Sequence, residues 1–89
     1  MSRGFSKKAQ IILEYNMQPM IGLKEIRKKK GYSQLKVAMD LSISREALSF
    51  YETGKRNPDL QMLVLLSNYF DVSIDYLITG KEFVSKRSQ

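Results

Sequence analysis

The chain contains no cysteine and no histidine. Without cysteine there is no disulfide to staple a small fold and no thiolate to hold a metal. Without histidine the other common zinc ligand is gone, and so is the side chain that most often acts as a general base near neutral pH. Carboxylates alone make a poor case for an enzyme, so no enzyme, metal or cofactor is expected. Long apolar runs are also missing. Nothing approaches the ~20 residues of a membrane-crossing helix, and Ile11-Ile12-Leu13 is too short for the apolar region of a signal peptide. A cytoplasmic protein without a membrane partner is expected. Proline occurs only at Pro19 and Pro58, and each interrupts helical continuity.

One further scarcity is local. From Pro58 to Gly80 there is no basic residue, while Asp59, Asp71 and Asp75 give that stretch a charge of −3. From Met20 to Asn57, nine basic residues face four acidic ones, a local charge of +5. The net charge of +6 over 89 residues is therefore unevenly placed. A basic half facing away from an acidic one orients a protein toward phosphates. Charge alone fits a basic soluble domain equally well. The length suits one small domain with a modest core. No separate effector domain or substantial ligand pocket is expected.

The most informative stretch is Gln34 to Thr53, QLKVAMDLSISREALSFYET. Val37, Ala38 and Leu41 share one face of a first helix, and Ala47, Leu48 and Tyr51 share one face of a second. The link between them, Ser42-Ile43-Ser44, is too short for an antiparallel return, so the helices must cross steeply. Ser44 is a good N-cap, and Glu46 suits the positive end of the helix dipole. This is a helix-turn-helix pattern, whose second helix is able to enter a DNA major groove.

On Ser33-Gln34, Val37-Ala38, Leu41-Ser42-Ile43-Ser44, Leu48, Tyr51-Glu52, Gly54, Arg56, Pro58 and Leu60, the chain resembles the Cro/XRE family of phage-repressor-like proteins. The resemblance runs from about Leu23 to Leu77. It implies an all-α, five-helix DNA-binding domain, usually a dimeric transcriptional repressor on a palindromic operator. Ser42 and Asp71 stand where the family often has glycine. The resemblance further implies an ion pair between Arg27 and Glu52. It also implies that Gln34 lies at the DNA backbone and braces the recognition helix, and that the Lys55-Arg56-Asn57 loop lies on the backbone too.

The rest of the chain divides around this unit. Residues 1–19 are an arm or carry an additional short helix from about Ser6 to Asn16. Met20-Ile21-Gly22-Leu23 looks like an ordinary family start, so translation beginning at Met20 is one expectation. A first family helix over Ile21 to Lys30 turns Leu23 and Ile26 inward and ends at Gly31. Its lysine run reads as a solvated face. The domain occupies 20–80 and a polar tail 81–89.

Arg45, Glu46, Ser49 and Phe50 point outward by helical spacing and are the expected base contacts. Arg45 suits guanine O6 and N7, Glu46 suits cytosine N4, and Phe50 suits a thymine methyl. Phosphate contact for Arg45 and a dipole role for Glu46 are the plainer alternatives. Ser33, Gln34, Ser44, Lys55, Arg56 and Asn57 are the expected backbone contacts, which set register without reading sequence.

The helix from Leu60 to Phe70 is expected to turn Leu60, Leu63, Leu66, Ser67 and Phe70 inward. It keeps an apolar surplus elsewhere, more than a surface helix normally shows. A last short helix, Ile74 to Thr79, is expected to turn Ile74 and Leu77 to the core. The surplus residues Met62, Leu65, Tyr69, Tyr76 and Ile78 are the expected homodimer interface. The competing function is an antitoxin or anti-factor that uses the same surface for a protein partner.

Overall fold

The structure, a computed structural model, describes residues 19–82. The expected N-terminal helix over 6–16 and most of the polar tail lie outside these residues. Among the described residues the fold is all-α, with five helices. They are α1 (Ile21–Lys29), α2 (Gln34–Leu41), α3 (Arg45–Thr53), α4 (Leu60–Phe70) and α5 (Ile74–Thr79).

Four of the five helices begin on a side-chain cap; α1 begins after Met20 without one. The hydroxyls of Ser33, Ser44 and Ser73 and the carboxylate of Asp59 accept from first-turn N–H groups at the starts of α2, α3, α5 and α4. Those donors would otherwise lack an intrahelical partner. At the other ends the chain leaves in a left-handed conformation. Gly54 and Gly80 do this without steric penalty. Ser42 and Asp71 do it as non-glycine residues, at φ 60° and 58°. The two departures from the family pattern therefore change the residue and keep the turn.

The core is built from Met20, Leu23, Ile26, Val37, Leu48, Leu66, Phe70 and Leu77. It draws on every helix, and Tyr51, Met62, Leu63, Tyr69, Tyr76 and Ile78 pack around it half-buried. A close helix approach joins the two ends of the domain. A Cβ on Gly22 would lie 1.6 Å from the Tyr76 carbonyl oxygen, so α1 and α5 meet at a distance only glycine permits.

Two expectations about the apolar faces need correction. Leu60 does not face inward; it is 72% exposed. At about 100° per residue it lies roughly 120° from the buried Leu66, off the inward stripe. On α5 the core is met by Leu77 with Tyr76 and Ile78, and Ile74 is not among the residues packed on it.

Candidate nucleic-acid interface

Ser42 gives the corner between α2 and α3 its shape. With Ser42 left-handed, Ile43 N–H turns back to the Ala38 carbonyl at 2.9 Å. Ile43 is half-buried against the core, which anchors the corner. The chain then restarts at Ser44, and α3 leaves with Arg45 and Glu46 exposed in its first turn. Ser49 and Phe50, one turn on, are half-buried.

Behind Arg45 runs a chain of polar bonds that reaches the core. Arg27 and Glu52 are both buried. Arg27 Nε donates to Glu52 Oε2 at 2.5 Å and Nη2 donates to Oε1 at 3.1 Å, a two-point ion pair. Arg27 Nη1 also donates to the Tyr32 carbonyl at 2.9 Å. Gln34 Nε2 donates to Glu52 Oε1 at 3.0 Å, and Gln34 Oε1 accepts from Arg45 Nη1 at 2.9 Å. The amide of Gln34 thus has a fixed sense, donor to the carboxylate and acceptor to the arginine. The pair ties α1 to α3, and the glutamine ties α2 to both ends of α3. Charges taken out of water hold only when bonded in this way, and no buried side-chain polar atom among the described residues lacks a partner.

The expected backbone contacts surround this line. Ser33 and Ser44 are exposed, their oxygens accepting from Lys36 N–H and Ala47 N–H at 3.0 Å. Each keeps its own hydroxyl hydrogen for another acceptor. Lys55, Arg56 and Asn57 are exposed on the loop after α3. Lys55 and Arg56 both lie over the Phe50 ring, at 5.9 and 5.4 Å from its centroid. Lys28, Lys29 and Lys30 are exposed at the end of α1.

A second polar cluster, which sequence reasoning missed, fastens α2 to α4. Tyr69 O–H donates to Asp40 Oδ2 at 2.5 Å, and Lys36 Nζ donates to the same oxygen at 2.9 Å. The Lys36 ammonium also sits 4.8 Å from the centre of the Tyr32 ring. The Tyr69 hydrogen bond, then that of Lys36, holds the Asp40 carboxyl below its ordinary range. Partial burial, then the hydrogen bond to Asp40, pushes the Tyr69 phenol up to about 12. The Asp40 hydrogen bond and charge raise Lys36. Lys36 and Asp40 show the one-turn spacing of a helical ion pair; nothing in the sequence links them to Tyr69.

The expected dimer residues do not all sit alike. Leu65 is 47% exposed and continues a ridge with Leu60 and Val64, beside an open groove of about 510 Å³. Met62, Tyr69, Tyr76 and Ile78 are half-buried against their own core. Tyr69 and Tyr76 direct their hydroxyls to Asp40 and Glu25 of the same chain. Among the described residues no helix is long and apolar enough to cross a membrane.

Comparison with known proteins converges on the same unit. A family profile described as helix-turn-helix matches residues 23–77. The HTH-type transcriptional regulator ImmR of Bacillus subtilis is 48% identical over 67 residues, 75% of this chain and 52% of its own length. The HTH-type transcriptional activator BcrR of Enterococcus faecalis is 36% identical over 63 residues, 71% of this chain and 31% of its own. An HTH-type transcriptional regulator of Archaeoglobus fulgidus is 33% identical over 55 residues, 62% of this chain and 79% of its own. The chain spans about half the length of ImmR and of the Bacillus subtilis relatives of similar identity.

Proposed function

The chain belongs to the Cro/XRE family of helix-turn-helix proteins, and on that basis we propose that it is a sequence-specific double-stranded DNA-binding regulator of transcription, dimeric and repressing by covering its site. The observation that carries the reading is Arg45. Its guanidinium is exposed at the start of α3 and held by Gln34, which is itself bonded to the buried Glu52. An arginine fixed at one N–H with the rest of its fork free suits two-point recognition of guanine. Glu46 and Ser49 flank it as further base contacts. Ser33, Gln34, Ser44, Lys55, Arg56 and Asn57 supply the backbone contacts that set register.

A second copy is proposed on the ridge of Leu60, Val64 and Leu65, with Met62, Tyr69, Tyr76 and Ile78 beneath and beside it. A two-fold axis there leaves both α3 helices on the opposite, basic side. They then reach successive major grooves, with half-sites about 34 Å apart. The exposed ridge equally suits the antitoxin type of protein partner; sedimentation of the purified chain as a dimer would assign it to self-association. No catalytic role is proposed, and the location proposed is the cytoplasm.

Selection of bound duplexes from a random DNA pool tests the whole reading. A palindromic consensus with half-sites one helical turn apart is expected. Recovery of unrelated sequences would overturn specificity, and an asymmetric consensus would overturn the dimer. A reporter carrying the selected site at its promoter should fall on expression of the chain; a rise would reverse the proposed sign of regulation.

A further inference from the structure

Phe50 stands where a base contact is expected, yet its surroundings assign it different work. Arg56 and Lys55 approach its ring at 5.4 and 5.9 Å, both within the ~6 Å reach of a cation–π contact. The backbone makes the same connection, because Arg56 N–H donates to the Phe50 carbonyl at 3.3 Å. Thr53 Oγ1 adds bonds to the carbonyls of Ser49 and Phe50 at 3.0 and 3.4 Å. Gly54, at φ 85°, supplies the reversal that folds the loop back on α3. The ion pairs found among the described residues are Arg27–Glu52 and Lys36–Asp40, so neither loop cation is neutralised by a carboxylate there.

We propose that Phe50 is the positioning residue of a two-cation phosphate clamp, holding Lys55 and Arg56 ready for the DNA backbone, and that it does not read a thymine methyl. This inference rests on the DNA-binding reading above. A carboxylate would order the same two side chains, but it would cancel their charge and repel a phosphate. An aromatic face orders them and leaves both charges intact. Long cationic side chains lose rotamer freedom on settling against a ligand. Ordering them beforehand removes part of that loss from the binding step. The clamp is indifferent to sequence, since phosphates are the same at every step of the duplex.

Phe50→Leu and Phe50→Tyr separate the two roles. Leucine keeps apolar bulk for a thymine methyl and lacks the ring; tyrosine keeps the ring. In the free wild-type protein, the Lys55 Hε and Arg56 Hδ protons should show upfield ring-current shifts by NMR. Those shifts should vanish in Phe50→Leu and persist in Phe50→Tyr. Affinity of Phe50→Leu for a random-sequence duplex and for the selected consensus should fall alike, roughly three- to tenfold, with the consensus unchanged and Phe50→Tyr near wild type. Absent ring-current shifts in the wild type, wild-type affinity in Phe50→Leu, or a loss confined to one A·T pair would overturn the clamp. Ring-current shifts as expected, in a wild-type protein that binds no duplex at all, would overturn the DNA reading itself while leaving the side-chain arrangement standing.

Discussion

The two halves of this domain are held together by different physics. The half containing α1, α2 and α3 is joined by directional bonds: a two-point ion pair, an amide with fixed sense and an arginine held at one N–H. The half containing α4 and α5 relies on apolar packing and exposes Leu60, Val64 and Leu65 on one helix, whereas the exposed Ile21, Leu35 and Met39 of the other half are divided between α1 and α2. Directional bonds fix where a side chain points, which a base-reading surface needs. Apolar packing is tolerant of direction, which suits a surface that meets another surface. Small domains hold only about 5–15 kcal/mol in total, so neither half has stability to spare.

The strongest way to break the comparison is to strand a charge in the first half. Glu52→Leu leaves Arg27 buried without its carboxylate and should cost about 3–5 kcal/mol, read by urea unfolding. If the loss stays under ~1 kcal/mol, the pair behaves like a surface salt bridge and the contrast between the halves fails. On the other half, Leu65→Glu places like charges across the proposed two-fold axis. A folded monomer with roughly 100-fold weaker operator binding, about 2.7 kcal/mol, should appear by sedimentation and titration. An unchanged dimer would move the interface elsewhere.

Within the reading half, Arg45→Ala should relax preference at one base pair by about 1–3 kcal/mol. Lys55→Ala should weaken all sequences alike and make the salt slope shallower by about 1. Exchange of these two outcomes in a titration series would reverse the assigned roles. The smallest effect belongs to the Tyr69–Asp40 bond that couples the halves. Asp40 titrates lower in the folded chain, so its contribution is complete above the unfolded value near ~3.9 and disappears as pH falls through the folded one. Tyr69 is raised to about 12, so its contribution is complete below about 10 and disappears as pH rises through about 12. Tyr69→Phe should flatten both limbs of the thermal-stability profile by a few degrees at most. A profile identical to wild type would show that the bond does not couple the halves.

The helices were legible because their signals are local. Ser33, Ser44, Asp59 and Ser73 cap in place, and the periodicities of Val37, Ala38 and Leu48 point to faces that are buried. Arg27 and Glu52 stand 25 residues apart, and no spacing rule announces such a pair; only the family resemblance suggested it. Gln34 shows the limit from the other side. Its position near DNA was an expectation, but the sense of its amide depends on two partners from another helix. Leu60 is apolar yet 72% exposed, because this helix start lies off the buried stripe and apolar character there does not fix direction. Helical spacing gives the outward angle of Phe50 but not the cations that lie over it, which come from the following loop.

Gly22 has an architectural consequence. Because a Cβ there would also meet Gly80 Cα at 3.1 Å, the chain enters and leaves this domain at one place. Such a unit has a single doorway, and it can be spliced into a longer polypeptide as a pendant or cut open at one of its own loops without pulling its helices apart. The doorway lies against the far end of α3, where Met20 N–H donates to the Tyr51 carbonyl at 3.4 Å, so whatever is attached there meets the end of α3 away from Arg45.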